Sequence, residues 1–303
     1  MKKPYNHLLV EQKENIIELY YRNASLEDIE DLAGASKRAV RRVLKEAGID
    51  TRRKNRYTLD EHYFDEIDTE QKAYWLGFIY ADGFVGDDKF NNIVIALSEV
   101  DLPHIESFAD SINYRVAEGI ERIRNSGPGG FENSKDIYVL NFSCSHMANA
   151  LRNHGLYPGK SMTMAEFPNI NPSLIRHFIR GYFDGDGSCY PVKPSSYHKG
   201  VKYEYDAVEF SIVGTKPFLE IMKSYLPIPT GNELKKSKTE EMKYLRMTAY
   251  GTNIMDIYKY LYEDATVFLK RKLDKLINSP CMQQCLQQTP NMLETPKANS
   301  TVA

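Results

Sequence analysis

Two stretches decide how this chain is read: Trp75-Leu76-Gly77-Phe78-Ile79-Tyr80-Ala81-Asp82-Gly83 and Ile179-Arg180-Gly181-Tyr182-Phe183-Asp184-Gly185-Asp186-Gly187. Each is an apolar helical run closed by an acid and a glycine. Ala73, Gly77 and Ala81 recur at every fourth position, as do Gly181 and Gly185, so each helix has one face almost without side-chain bulk. Glycine inside a helix costs roughly 0.5 to 1 kcal/mol relative to alanine, so its use on both faces predicts that the two backbones approach closely.

Parallel packing through these faces brings Asp82 and Asp186 to the same end of the interface. A carboxylate at a helix C-terminus opposes the macrodipole, and two close carboxylates repel until one of them is pushed up in pKa. A hard divalent cation relieves both penalties. Mg²⁺, or Mn²⁺ in its place, takes one or two carboxylates with backbone carbonyls, waters and phosphates. Asp82 and Asp186, with the carbonyls of Ala81 and Gly185 beside them, are therefore candidate metal ligands, and the pattern points to phosphodiester chemistry. The competing reading of either copy alone is an ordinary Asp-Gly turn. Its recurrence behind the same small-residue face favours the metal reading.

Around the two motifs the chain repeats loosely. In the first copy a helix is predicted over 68–82, strands around 93–97 and 137–142, and a helix over 101–113 between them. In the second the helix covers 171–186, the strands lie around 208–213 and 244–248, and the intervening helix covers 216–225. A duplicated half-domain is the simplest organisation.

Both nonamers resemble the motif of the LAGLIDADG homing endonucleases, and the resemblance extends over about 60–277. It implies an α+β fold: two pseudo-symmetric αββαββα halves, 59–165 and 166–278, joined through the motif helices, with their sheets forming a saddle over DNA. The acidic eighth letter, which holds the catalytic metal in that family, falls on Asp82 and Asp186. The sixth letter is Tyr80 in the first copy, a departure from the usual acid, and Asp184 in the second. The family often carries a basic residue ahead of the helix closing each half, which implies catalytic roles for Lys160 and Lys272. A lysine there stabilises charge on the transferring phosphate or polarises the attacking water. Lys270 and Arg271 are close enough to take the second role instead.

The rest of the chain adds a DNA-binding appendage. With 303 residues, 42% hydrophobic and 26% charged, the composition is globular, and a net charge of -2 conceals its distribution. Between positions 37 and 56, nine basic residues stand against Glu46 and Asp50, a local excess of seven positive charges. Residues 1–49 read as three helices with a break at Gly34, an N-cap at Ser36 and a stop at Gly48. Lys37, Arg38, Arg41 and Arg42 fall on the open face of the third, as in a helix-turn-helix; the alternative is a small helical bundle with a solvated basic face. Residues 50–58 read as a linker whose Arg52, Arg53, Lys54 and Arg56 follow a phosphate backbone. The Gln-, Thr- and Pro-bearing segment 279–303 reads as a disordered tail.

Strand alternation puts Val208, Phe210 and Ile212 in the core and Glu209 and Ser211 outward, with Arg246 and Thr248 as groove contacts. Cys144, Cys189, Cys281 and Cys285 have no metal-binding or disulfide spacing, and the seven histidines show no HExxH or HNH-like cluster and are expected to have no catalytic role. No apolar run has the roughly 18 residues of a membrane span, and the N-terminus lacks signal-peptide character, so a cytoplasmic location is expected. The chain starts without an intein nucleophile and ends in Thr301-Val302-Ala303, so an intein is not expected. The expected function is that of a monomeric, site-specific DNA endonuclease. It would act on a long asymmetric duplex target, cutting each strand once across the minor groove. A regulator of the same two modules without catalysis, and an intron RNA maturase, are the alternatives.

Overall fold

In the computed structural model, which describes residues 2–21, 24, 26–49, 57–116, 120–123, 136–160, 164–228, 234–236, 242–249 and 252–288, the chain divides into two units, 1–58 and 59–303. The first contains α1 (Val10–Tyr21), α2 (Leu26–Leu32) and α3 (Lys37–Glu46). One apolar residue or pair from each helix closes its core: Ile16, Ile29, Val40 and Leu44 are fully buried. Gly34 turns the chain between α2 and α3 with φ +60°, a left-handed conformation that glycine adopts without a Cβ penalty. The Ser36 hydroxyl then accepts a hydrogen bond from the Ala39 amide at 3.3 Å and caps α3.

The second unit begins with α4 (Glu70–Asp82), capped by Thr69, whose hydroxyl accepts from the Lys72 amide at 3.3 Å. Strands β1 (Gly83–Val85) and β2 (Asn92–Ser98), helix α5 (Leu102–Ser111), strands β3 (Glu121–Ile123) and β4 (Ile137–Ser143) and helix α6 (Ser145–Asn153) follow. The order then recurs as α7 (Ile175–Asp186), β5 (Gly187–Val192), a hairpin of β6 (Ser195–His198) and β7 (Val201–Glu204), β8 (Ala207–Thr215), α8 (Lys216–Tyr225), β9 (Leu234–Lys236), β10 (Met242–Ala249) and α9 (Thr252–Tyr262). Helices α10 (Lys270–Ile277) and α11 (Pro280–Gln288) come last.

Both four-stranded sheets are antiparallel and share one order, β1-β2-β4-β3 and β5-β8-β10-β9. Alternation works as the period of two requires. Ile93, Ile95 and Leu97 of β2 face inward, as do Leu140 and Phe142 of β4 and Val208, Phe210 and Ile212 of β8.

Helices α4 and α7 lie in the middle, buried over Ala73–Tyr80 and His177–Asp184. They run parallel, since Gly77 abuts Phe178 and Tyr182 while Gly185, further along, abuts Ala81 and Asp82.

Two expectations are corrected. Residues 280–288 are not a disordered tail: they form α11, with Cys281 and Met282 buried and the Ser279 hydroxyl accepting from the Met282 amide at 3.3 Å. The glutamines that disguise it in the sequence occupy the remaining helix surface. Residues 289–303 lie outside the described residues. Glu209 is buried at 6% exposure rather than open, because the Tyr190 hydroxyl from the neighbouring strand donates to it.

Candidate active site

The site is built by glycine. A Cβ on Gly77 would overlap the Phe178 carbonyl oxygen, one on Gly181 the Tyr74 carbonyl oxygen, and one on Gly185 the Ala81 methyl group. The same Cβ on Gly185 would stand 3.3 Å from Asp82 Oδ2, so the acid ending the first helix sits against the penultimate residue of the second. Asp82 and Asp186 thus come together where both helices stop.

The two acids open to solvent on one side and are crowded by the helix ends on the other. This desolvation is the largest influence on both. It raises Asp82, opposed by Lys272 and Lys160. It also raises Asp186, to about 6, with the Asp82 charge as the next contribution. Burial, rather than the mutual repulsion expected from the sequence, is the greater cause.

Lys160 and Lys272 converge on the same place. Lys160 Nζ donates to the carbonyls of Ala81 (3.2 Å) and Gly83 (2.7 Å), which flank Asp82. Lys272 Nζ donates to those of Gly185 (2.9 Å) and Gly187 (2.5 Å), which flank Asp186, and to Phe183 (2.7 Å). Each ammonium therefore neutralises the negative end of its own motif helix. The Ala81 and Gly185 carbonyls, candidate metal ligands in the sequence, are engaged by these lysines, though each oxygen retains a second lone pair. Burial lowers both lysines, Lys272 to about 8. The three neighbouring cations differ in their contacts: Lys270 pairs with Asp274 at 2.6 Å on the surface, Arg271 turns to Asp101, and Lys272 donates to the main chain around Asp186.

The oxygen donors fit a hard cation, which would share the place with the ammoniums of Lys160 and Lys272. Its donors are two carboxylates and main-chain carbonyls, the oxygen set that Mg²⁺ takes, and the raised carboxyls mark a place where positive charge is wanted.

Several solved structures resemble the chain. I-SmaMI, described as a LAGLIDADG homing endonuclease bound to cleaved DNA, is 15% identical, with 67% of this chain and 86% of that one covered at a TM-score of 0.42. The LAGLIDADG meganuclease I-CpaMI, bound to uncleaved DNA, is 11% identical over 73% and 98% of the two chains at 0.45. I-AabMI, also a LAGLIDADG meganuclease bound to uncleaved DNA, gives 12%, 72%, 89% and 0.43.

The chain is similar to LAGLIDADG homing endonucleases.

No family model matches the sequence. A stretch of 117 residues is 32% identical to the DNA-directed RNA polymerase subunit Rpo1C of Methanocaldococcus jannaschii, covering 38% of this chain and 12% of that protein. The chain thus spans about an eighth of that relative's length.

The sixth letters of the two LAGLIDADG-like stretches do different work. Asp184 is fully buried and accepts from the Tyr74 hydroxyl (2.8 Å), the Tyr262 hydroxyl (2.8 Å) and the Leu269 amide (2.6 Å). Tyr80 donates instead to the His154 carbonyl just past α6. Tyr74 gives its one proton to Asp184, so His104, 2.9 Å away through Nε2, must be the donor of that contact. Burial among Tyr74, Trp75 and Phe78 lowers His104 to about 3.

Two more groups escaped the sequence reading. Asp101 at the head of α5 is 4% exposed and takes Arg271 Nε on both oxygens, at 2.8 and 2.9 Å, close enough for both charges to act on Asp82. Arg180 is fully buried and donates to Glu70 at 2.6 Å, to the carbonyls of Val267 and Leu261 at 3.0 Å, and to His177 at 2.8 Å. Neither pair has a local sequence signal, since each joins positions far apart in the chain.

Among the candidate DNA contacts, Arg246 pairs in register with Ser211 and Thr248 with Glu209, which places those positions on one face of the second sheet. The corresponding face of the first sheet carries exposed Phe84, Ala96 and Asn141 and has no basic residue among the described positions. On α3, Lys37, Arg38, Arg41 and Arg42 are exposed. Lys37 pairs with Glu27 at 3.1 Å and Arg42 with Glu46 at 3.1 Å, whereas Arg38 and Arg41 have no ion pair among the described residues. Arg52, Arg53, Lys54 and Arg56 lie outside the described residues.

Proposed function

We propose that this chain is a divalent-metal-dependent, site-specific DNA endonuclease of the LAGLIDADG type. The observation that carries the reading is the convergence of Asp82 and Asp186 at the shared end of two glycine-packed helices, with Lys160 and Lys272 behind them. Asp82 and Asp186 hold the cation. Bound there, Mg²⁺ or Mn²⁺ supplies Lewis-acid stabilisation of charge on a phosphate oxygen and a more acidic water.

The protein's own groups do the rest. Lys160 and Lys272 keep positive charge within reach of a phosphodiester and fix the main chain on which both acids ride. Two acids from two half-units suit one cut on each strand of an asymmetric duplex by a single chain. The N-terminal helices dock through Arg38 and Arg41 on α3, extending the footprint on one flank, with the basic segment 50–58 along the backbone.

The test is to incubate the protein with Mg²⁺ and a randomised duplex library and to sequence the broken ends. One recurrent site with staggered ends is the expected result. Cleavage that persists in the Asp82→Asn/Asp186→Asn double variant would overturn the assignment.

A further inference from the structure

We propose that His62, Asp65 and His146 form a second metal site, for a transition dication such as Zn²⁺, which fastens the segment entering the first motif helix to the start of α6. Asp65 sits between the two imidazoles: its Oδ2 is 2.7 Å from His62 Nδ1 and its Oδ1 is 2.7 Å from His146 Nε2. The rings stand edge to face with centroids 4.3 Å apart. One ligand atom from each of the three residues lies within 4.8 Å of the other two.

Around a tetrahedral ion with bonds of roughly 2.0 to 2.2 Å, donors stand about 3.4 Å apart, so small side-chain rotations convert the hydrogen-bonded cluster into a coordinated one. All three residues are exposed. An ion can therefore enter without opening the fold, and water completes its coordination.

The chemistry of the donors separates this site from the pair at Asp82 and Asp186. Two imidazole nitrogens and one carboxylate suit Zn²⁺, Ni²⁺ or Co²⁺, whereas the all-oxygen set of the motif acids suits Mg²⁺. The placement also gives the ion something to do. Asp65 and His146 are 81 residues apart, and the chain between them includes the first motif helix with its sheet. An ion that binds across that loop in the folded chain and is released on unfolding stabilises the fold by its binding free energy.

The experiment uses the full chain with Asp82→Asn and Asp186→Asn in place, so that the motif acids cannot account for binding. This protein is expected to retain one equivalent of Zn²⁺ after dialysis and to melt higher with Zn²⁺ than with a chelator. Adding His62→Ala or His146→Ala should abolish both effects, and their melting in chelator shows whether these surface variants still fold. Co²⁺ in place of Zn²⁺ should give visible d–d bands without the near-ultraviolet thiolate band, which separates this cluster from the cysteines. Absence of retained metal, retention unaffected by either histidine variant, or a thiolate band would each overturn the proposal.

Discussion

Gly181 rests on the main chain of Tyr74. A Cβ there would overlap the Tyr74 carbonyl oxygen and come within 2.9 Å of the Phe78 nitrogen, while Gly77 stands in the same relation to Phe178. Backbone cannot rotate away as a side chain can, so even one methyl group forces the helices apart. Gly77→Ala or Gly181→Ala should cost about 3 kcal/mol, at the upper end of ordinary overpacking. Thermal melts measure this, and an unchanged transition would contradict the close approach.

The Asp82→Asn variant should lose double-strand cleavage and still bind its target. In metal-free buffer near neutral pH it should melt higher than the parent, because burial disfavours the charge that Asp82 carries and its loss also relieves Asp186. Mg²⁺ should raise the melting temperature of the parent and not that of the Asp82→Asn/Asp186→Asn double variant. Calorimetry with and without the ion checks both points.

Lys272 makes three hydrogen bonds to main-chain carbonyls and Lys160 two. Replacing either with methionine strands those oxygens at a helix end. Stability should fall by roughly 1 to 3 kcal/mol, more for Lys272→Met than for Lys160→Met. Cleavage at saturating protein should fall with it, by about 10²-fold or more if the ammonium also stabilises the phosphate. Urea unfolding and single-turnover cutting separate the two effects.

Acid should weaken the fold through His104. Its folded value is lowered to about 3, against an ordinary value near 6.5, so the unfolded chain takes up a proton that the folded chain refuses. Stability is complete above pH ~6.5 and declines as the pH falls below it, at about 1.4 kcal/mol per pH unit for this one group. His104→Gln keeps an N–H for Tyr74 and cannot titrate there. Denaturation between pH 7 and 5 should show a shallower loss for that variant.

Removing residues 1–58 should leave cutting at the same central positions while weakening binding. The log K against log salt slope should become shallower by about one unit for each phosphate that the shortened chain no longer neutralises. Arg38→Ala with Arg41→Ala should reproduce part of that change. Footprinting and salt titration decide it, and identical slopes would separate these helices from the target DNA.

How much of this could be read from the sequence depended on how far apart the partners were. The parallel packing of the motif helices was legible because small residues at every fourth position describe a face, and Asp82 and Asp186 followed from it. Lys160 and Lys272 became visible through the resemblance they completed. Asp101 with Arg271, Arg180 with Glu70, and the cluster of His62, Asp65 and His146 were not legible. Each lies on different elements that only the fold brings together. Glu209 was misread because alternation gives the face of a strand but not what covers it. The helix Pro280–Gln288 was missed because composition dominated a stretch that has only two buried side chains to hold it.

The buried bridge between Arg180 and Glu70 dictates which halves can marry. With Gly77 and Gly181 aligned, Leu174 takes the place of Glu70 and Phe178 that of Tyr74. Two copies of the second half would then leave each Arg180 without its carboxylate and each Asp184 without the Tyr74 hydroxyl, one of its three donors. An unpaired buried charge of this kind costs about 3 to 5 kcal/mol. Two copies of the first half would have no arginine to meet Glu70. Homotypic pairing is thereby penalised and the mixed pair favoured, so a chain severed between its halves retains the information to reassemble as a heterodimer.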